Sequence, residues 1–322
     1  MLISVVIRTL NEEKHLDELL AAIANQHSDV FTFETVIVDS GSTDNTLAIA
    51  ADYGARITHI KQEDFSFGRS LNVGCGFAQG EILVFVSGHC IPANENWLDE
   101  LCMPIYNGVV QYTYGRQLGR DTTKFSERQV FDKYFPAYSM IPQEGFFCNN
   151  ANAALLKQSW RKVSFDEELT GLEDMFLARG LVETGELVGY VAEAPVYHIH
   201  DETWPQVKRR YEREAIALQK ITPEIHMTFG DFVRCSLSSV FSDLGVAIKE
   251  RVFCQEIKSI LSFRLLQYWG GYKGNHIHRK LSLEAKRRYF YPNQAVTQSR
   301  PSASISMDKT NEKNNGFNAS EG

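Results

Sequence analysis

The sequence has few cysteines, and none of them form a motif. Its 322 residues contain six cysteines, and no two have the C-x-x-C spacing of zinc or dithiol redox sites. Scattered cysteines favour free thiols in a reducing cytosol. No stretch approaches the ~18 uninterrupted apolar residues of a membrane-spanning helix. The start, "MLISVVIRTLNEE", enters a strand pattern without a basic leader or cleavage site, which predicts no signal peptide.

Acidic residues are also relatively scarce between residues 202 and 292. The formal net charge is −7, yet residues 202–292 carry 16 Lys and Arg against 9 Asp and Glu. An acidic body with a basic appendage predicts that one end of the chain meets an anionic surface. Residues 293–322 are rich in Ser, Asn, Lys and Gly and lack an apolar pattern, so we expect them to be disordered.

Strand and helix patterns alternate along the first part of the chain. The runs "ISVVIRT", "FETVIVD", "ARITHIKQ" and "EILVFVSG" predict strands, and the segments between them predict helices. This alternation predicts parallel β-α-β units and an α/β fold with a mostly parallel, Rossmann-like sheet. Ligands of such sheets bind beyond the carboxyl ends of the strands. We therefore expect Arg8-Thr9, Asp39-Ser40 and residues 87–90 to meet in one crevice.

The remaining sequence changes character at Trp204, where the pattern becomes helical, basic and aromatic. This change predicts a catalytic domain over residues 1–203, a helical extension over 204–292 and a tail over 293–322. The extension could simply pack on the domain, but its cations beside large apolar side chains favour binding to an anionic membrane surface. Those cations are Lys208, Arg209, Arg210, Arg213, Lys286, Arg287 and Arg288.

Six short motifs occur in an order typical of one family: "SVVIRTLNEEKHL", "VIVDSGSTDNT", "FSFGRSLNVGCGFAQGEILVF", "IPANENWL", "EDMFLARG" and "YHIH". The chain resembles a family 2 glycosyltransferase of the GT-A fold, from the rhamnosyltransferase-like branch that builds bacterial surface polysaccharides. The resemblance covers about residues 1–215. It implies an inverting transfer from a nucleotide-diphosphate sugar to a glycan carried on a polyprenyl diphosphate. It also implies a cytoplasmic protein, peripheral on the inner membrane.

The resemblance assigns the donor to the strand ends and to the third helix. It implies that Asp39 accepts a hydrogen bond from a pyrimidine ring and that the Arg8-Thr9 turn holds this base. A buried carboxylate is costly unless it is paired, so Asp39 could instead cap the turn that follows it. Arg69 and Asn72 lie three apart and share a helix face. The resemblance places both near the donor diphosphate, which an Arg fork suits, although Arg69 could also form an ordinary salt bridge.

The family's metal-binding motif departs from its usual form. Such enzymes hold Mg²⁺ or Mn²⁺ with an Asp-x-Asp strand end, but "VFVSGHCIPANENWL" aligns His89 with the main metal-binding aspartate. The resemblance also places a histidine of "VYHIH", His198 or His200, in the metal or diphosphate shell. Since these two alternate along a strand, we expect only one to face the site. A divalent cation, Mn²⁺ or Mg²⁺, is expected, with imidazole favouring Mn²⁺; loss of the metal is the alternative.

The segment "GLEDMFLARG" contains the expected base. An inverting transfer needs a carboxylate to take the proton of the attacking hydroxyl. Glu173-Asp174 opens a helix, whose N-terminal dipole favours negative charge, so the pair could merely stabilise that helix. With the resemblance, we assign Asp174 as the base and Glu173 as acceptor-binding partner or alternative base. Three residues of "GFFCNNANAALLK" could bind sugar hydroxyls or serve turns: Asn149, Asn150 and Asn152.

Other functions compete with sugar transfer. A sugar-nucleotide pyrophosphorylase would carry a Gly-rich basic loop directly after the first strand, and "RTLNEEKHL" has none. A non-catalytic or metal-independent partner protein at the membrane would keep the fold without the metal site. The set of Asp39, Arg69 and Glu173-Asp174 argues against that partner. Nucleic acid is not expected to bind, because the basic segment contains no recognisable recognition module.

Overall fold

The structure of the chain is a computed structural model and describes residues 1–276. Its strands are β1 (Leu2–Thr9), β2 (Thr32–Asp39), β3 (Arg56–His59), β4 (Ile82–Ser87), β5 (Cys90–Pro92), β6 (Tyr112–Leu118), β7 (Asn152–Leu156) and β8 (Val188–His198). Its helices are α1 (Glu13–Ala24), α2 (Thr46–Asp52), α3 (Phe67–Phe77), α4 (Trp97–Tyr106), α5 (Phe125–Tyr134), α6 (Lys157–Lys162), α7 (Glu173–Glu183), α8 (Trp204–Ile221), α9 (Phe229–Lys249) and α10 (Phe253–Asn275).

The strands form one sheet in the order β3-β2-β1-β4-β7-β6-β8-β5. The four predicted strands β1 to β4 make its parallel half, with β2 and β4 on either side of β1. The register sets Thr9 beside Asp39 and Arg8 beside Ser87. The carboxyl ends of three strands therefore meet at one edge, as predicted, and the shared crevice stays a prediction.

The other half of the sheet is mixed. β7 runs antiparallel to β4 and β6, while β8 runs parallel to β6 and antiparallel to β5. The short strands β5 and β7 were not predicted, because three to five residues carry too little periodicity. The β5–β8 pairing sets Cys90 opposite His198. It thereby joins the segment after β4 to the end of β8.

Helices cover both faces of the sheet. One apolar core includes Leu16 of α1 and Leu101 of α4, and the other includes Leu71 of α3 and Leu177 of α7. All four side chains are at most 1% exposed. Burial on both faces explains why the parallel strands read as continuous apolar runs rather than as alternating ones.

A glycine sets the position of α3 beside the segment that precedes α7. A Cβ on Gly68 would lie 2.0 Å from the carbonyl oxygen of Asp166, so only glycine allows this approach. One turn later, Asn72 binds the same segment. It donates to the carbonyl of Phe165 and accepts from its N–H and from the indole of Trp160, at 2.9, 3.1 and 3.0 Å. These contacts fix α3 against the approach to α7.

The helices α8 to α10 start where the helical pattern was predicted to begin, and they belong to the same compact unit as the sheet, Met1–Leu281. A buried ion pair between Arg264 and Asp243 joins α10 to α9, and Asp243 also accepts from Ser126 of α5. The division into a domain and an extension stays a prediction. Within residues 1–276, none of the helices is both long and apolar enough to cross a bilayer. The tail and the three cations Lys286, Arg287 and Arg288 lie outside the described residues.

Candidate active site

Asp39 ends β2 as a buried carboxylate, 1% exposed. Its Oδ1 accepts a hydrogen bond from the hydroxyl of Thr9 at 3.1 Å, and its Oδ2 accepts from the N–H groups of Gly41 and Ser42 at 2.9 and 3.0 Å. These bonds offset the desolvation of the carboxylate. They show the turn-capping interaction that was the alternative for Asp39. Its contact with a donor base stays a prediction, as does that of Thr9.

Arg8 connects the end of β1 to the start of α7. Its Nη1 lies 3.3 Å from Oε1 of Glu173, and its guanidinium carbon lies 4.9 Å from the ring centre of Phe67. Arg213 of α8 lies over the same ring, at 4.8 Å, and its Nε is buried with no hydrogen-bond partner among residues 1–276. Two guanidinium groups therefore concentrate positive charge beside the acidic start of α7, where an anionic ligand could bind.

The backbone enters α7 through a strained residue. Leu172 has a φ of 56°, a left-handed conformation that costs a non-glycine residue roughly 1–2 kcal/mol. Such strain persists only where the surrounding structure enforces it, and it is common at functional sites. Here it directly precedes Glu173 and Asp174, which are 5% and 7% exposed.

Asp174 is a buried acid with an unusual proton affinity. Its Oδ2 accepts a hydrogen bond from the N–H of Asn150 and its Oδ1 from that of Met175, both at 2.8 Å. Burial, and next the negative charge of Glu173, raise the pKa of Asp174 to about 7, although both N–H groups and Arg8 act to lower it. A carboxyl group with this pKa can exchange a proton with a hydroxyl near neutral pH.

Of the three asparagines predicted near the acceptor, Asn150 keeps a buried donor without a partner. Its Oδ1 accepts from the hydroxyl of Tyr112 at 2.6 Å, but its Nδ2 has no acceptor among residues 1–276. Asn152 accepts from the indole of Trp97 and donates to two backbone carbonyls. The Oδ1 of Asn149 accepts a hydrogen bond from the backbone N–H of Ala151, as in a turn. Asn150 thus has a buried donor available for a ligand.

Three histidines meet where the segment after β4 lies beside the end of β8. One ring nitrogen each from His89, His198 and His200 lies within 4.8 Å of the others. The ring centres of His198 and His200 are 3.9 Å apart. The expectation that only one of these two faces the site is wrong, because residues two apart on a strand lie on the same face. All three predicted histidines are brought together.

Each of these imidazoles uses its Nδ1 in a hydrogen bond to a side-chain oxygen. The bonds join His89 to Glu12 (3.2 Å), His198 to Gln117 (2.7 Å) and His200 to Glu127 (2.6 Å). Burial lowers the pKa of His198 and of His200, which favours the neutral form of both rings. Burial also acts to lower the pKa of His89, but the hydrogen bond and charge of Glu12 outweigh it and raise that pKa.

An ion-pair network lies behind His200. Glu127 accepts from Arg210 at 2.5 Å as well as from His200, and Arg210 also lies 2.8 Å from Glu202. Burial acts to raise the pKa of Glu127, but His200 and Arg210 together lower it to about 2. The prediction that Arg210 and Arg213 face a membrane is therefore wrong. Both extend from α8 towards the site, because carboxylates and an aromatic ring pair with them there.

The two residues predicted on α3 have different environments. Arg69 is exposed, whereas the side chain of Asn72 is engaged in the contacts to the segment before α7 described above. These bonds give Asn72 a structural role. Contact with a donor diphosphate stays a prediction for both residues.

Comparison with known proteins agrees with this geometry. The family model "Glycosyl transferase family 2" matches residues 4–163. The chain is 23% identical over 287 residues to the O-antigen chain rhamnosyltransferase RfbN of Salmonella typhimurium, covering 84% of this chain and 90% of that protein. It is 25% identical over 253 residues to the O-antigen chain rhamnosyltransferase WbaN of Salmonella anatum, covering 73% and 80%.

A solved structure supports the fold. The chain is similar to the mannosyltransferase PcManGT from Pyrobaculum calidifontis, solved in complex with GDP-Man and Mn²⁺, with a TM-score of 0.57. The identity is 14%, over 91% of this chain and 88% of that one, so the likeness shows the fold alone. The predicted fold class and family are confirmed. Residues 4–163 form a glycosyl transferase family 2 domain; the chain has the GT-A fold and is a glycosyltransferase similar to rhamnosyltransferases of bacterial surface polysaccharides.

Proposed function

We propose that this enzyme transfers a sugar, with inversion, from a nucleotide-diphosphate sugar to a glycan acceptor of a bacterial surface polysaccharide. The names of the two Salmonella relatives support a deoxyhexose such as rhamnose as the sugar. The acceptor is a growing glycan linked to a polyprenyl diphosphate. The observation that carries the proposal is Asp174, a buried carboxyl group with a pKa of about 7 at the edge where the strands end.

In this mechanism the ionised Asp174 takes the proton of the acceptor hydroxyl as its oxygen attacks the anomeric carbon. The bond between that carbon and the diphosphate oxygen breaks, and its electron pair leaves with the nucleoside diphosphate. A single displacement inverts the configuration. The N–H of Asn150 binds Asp174, and its Nδ2, which has no acceptor within the described part of the chain, can hold a sugar hydroxyl. Glu173, paired with Arg8, is the acceptor-binding partner or alternative base.

The leaving diphosphate needs positive charge nearby. Arg8 and Arg213 supply two guanidinium groups within 5 Å of the Phe67 ring, and Arg69 on α3 is proposed as a third. Guanidinium forks suit phosphate oxygens. The pyrimidine base would lie against Thr9 and Asp39.

A divalent cation, Mn²⁺ or Mg²⁺, is the family's usual partner for the diphosphate. The type of metal ligand present in this chain favours one ion over the other. His89, His198 and His200 would hold the ion. Three imidazole nitrogens fit Mn²⁺ better than Mg²⁺, which takes oxygen ligands and water. When bound, the ion would neutralise charge on the leaving diphosphate.

We also propose that the enzyme works in the cytoplasm at an anionic membrane surface, the inner membrane. α9 exposes four apolar side chains at four-residue spacing, which places them on one helix face. They are Phe229, Val233, Leu237 and Phe241, between 39% and 68% exposed. Such a stripe suits the headgroup layer of a bilayer. Phe241→Ser should weaken co-sedimentation with anionic vesicles, and equal sedimentation of variant and wild type would contradict this surface.

One experiment tests the transfer reaction itself. Purified protein is incubated with a panel of nucleotide sugars, in Mn²⁺, Mg²⁺ or EDTA, and released nucleotide is measured. Turnover of one donor, lost in Asp174→Asn and kept in the exposed control Asp52→Asn, supports the proposal. Absence of nucleotide binding and turnover with every donor would favour the non-catalytic partner. Full turnover in EDTA would favour the metal-independent alternative.

A further inference from the structure

We infer that His89, His198 and His200 form an all-nitrogen site that binds a transition-metal ion of the Zn²⁺ or Co²⁺ class and excludes Mg²⁺. The inference deepens the proposed function, since it extends the choice between Mn²⁺ and Mg²⁺ to the late transition metals that three imidazoles bind more tightly than Mn²⁺. It rests on that function for the role of the ion. Binding of the ion itself can be measured without any sugar donor.

The backbone holds the three histidines in place. β5 pairs with β8 so that Cys90, next to His89, lies opposite His198. The N–H of Ile199 donates to the carbonyl of His89 at 3.1 Å. The ring nitrogens within 4.8 Å therefore belong to two strand ends fixed by hydrogen bonds rather than to a loose loop.

The partners of the three rings fix which nitrogen is available. Gln117 donates its Nε2 to Asn149 at 2.9 Å, so its Oε1 faces His198 and must accept. The carboxylates of Glu12 and Glu127 likewise can only accept from their histidines. Each Nδ1 therefore carries a proton, and the Nε2 of each ring in its neutral form keeps a lone pair. A cation can bind such lone pairs, and this hydrogen bonding is what positions histidine ligands in metal sites.

The adjoining acidic group does not serve as the metal site. Glu127, His200 and Glu202 also lie within ligand distance of one another, but Arg210 already pairs with both carboxylates. Its guanidinium supplies the positive charge there. Glu127 thus orients the ring of His200 through a hydrogen bond and does not bind the metal itself.

The ligand type selects the metal. Imidazole suits Zn²⁺, Co²⁺ and other late transition ions, whose affinity exceeds that of Mn²⁺, whereas Mg²⁺ prefers oxygen. His89, His198 and His200 are neutral when they bind metal. They leave the charge of the ion undiminished for an anionic ligand, unlike the carboxylates of an Asp-x-Asp motif.

Direct binding to the chelator-treated full chain tests the site, without donor or acceptor. Co²⁺ is titrated while its visible absorption is followed, and Zn²⁺ and Mg²⁺ are then added as competitors. We expect one Co²⁺ per chain, displaced by Zn²⁺ and unaffected by millimolar Mg²⁺. His89→Ala and His198→Ala should each weaken Co²⁺ binding by about 100-fold or more, whereas His27→Ala, an exposed histidine outside the cluster, should leave it unchanged.

A second pair of variants separates positioning from folding. Glu12→Ala removes the oxygen that orients His89 and should weaken Co²⁺ binding by about 10-fold to 100-fold. Glu12→Gln keeps an oxygen acceptor at this half-buried position and should restore most of the affinity. Co²⁺ binding that is absent, or equal in wild type and His89→Ala, overturns the inference. Sugar transfer would survive that result if the proposed function is correct, so the two failures are distinguishable.

Discussion

Asp174→Asn should abolish sugar transfer and, at alkaline pH, stabilise the fold. The pKa of Asp174 is raised from 3.8 to about 7 in the native state by burial and by Glu173. The native state therefore holds this proton more tightly than the unfolded chain does. Its contribution to stability is complete below pH 3.8 and is lost as the pH rises towards 7. Above pH 7 the wild type carries a buried, ionised carboxylate that asparagine lacks.

The magnitude follows from the same values. The interval between 3.8 and about 7 corresponds to about 4 kcal/mol. Asparagine can accept only one of the two N–H groups, from Asn150 and Met175, that Asp174 accepts, and this loss costs about 1–2 kcal/mol. We expect the variant to gain about 2–3 kcal/mol in free energy of unfolding at pH 8.5, and to be slightly less stable than wild type at pH 4. Loss of the base should lower kcat about 10²-fold to 10⁴-fold.

Urea unfolding between pH 4 and pH 8.5, together with donor turnover, measures both effects. In the wild type, kcat/KM should rise with pH through about 7 and then level off, because the base must be ionised. Asp52→Asn, exposed on α2, should change neither property. A wild-type free energy of unfolding that stays constant over this range, or turnover retained by Asp174→Asn, would refute the reasoning.

Arg8→Gln removes a positive charge that lowers the pKa of Asp174, so the midpoint of the pH profile of kcat/KM should move to higher pH. An unchanged midpoint would show that Arg8 does not influence the pKa of the base. Gly274→Ala should lower the melting temperature by several degrees, because its Cβ would lie 2.2 Å from the carbonyl oxygen of Glu212 and force α10 away from α8. Gly245→Ala in α9 is the matched control, since its Cβ would meet no atom of residues 1–276 within 4 Å, and its free energy of unfolding should rise by about 0.5–1 kcal/mol. Equal melting temperatures for the two variants would contradict close α8–α10 packing.

The parallel half of the sheet and the meeting of its strand ends could be predicted from sequence. Buried strands leave long β-branched and apolar runs, and parallel pairing fixes where they end, so the shared edge of Thr9, Asp39 and Ser87 followed directly. Glu173-Asp174 could be placed at a helix start for a similar local reason. The pKa of Asp174 could not be predicted from the sequence, because it depends on burial and on a backbone N–H from Asn150.

The histidine cluster and the role of α8 show where local sequence becomes insufficient. The motif indicated His89, His198 and His200, but not that Gln117 and Glu127 would hold two of the rings, because those residues come from distant elements. A basic, aromatic helix fits a membrane and a carboxylate-lined site equally well by composition. Only tertiary contacts decide between the two.

α8 supplies side chains to the candidate site, although the sequence pattern assigns this helix to the predicted extension. Arg210 pairs with Glu127, the same carboxylate that orients His200, while Arg213 lies over the Phe67 ring beside Arg8. Deleting α8 would leave Glu127 buried without its guanidinium partner, and such unpaired buried charges are strongly destabilising. Residues on both sides of the predicted boundary near residue 203 therefore contribute to the sites proposed for the metal and the diphosphate.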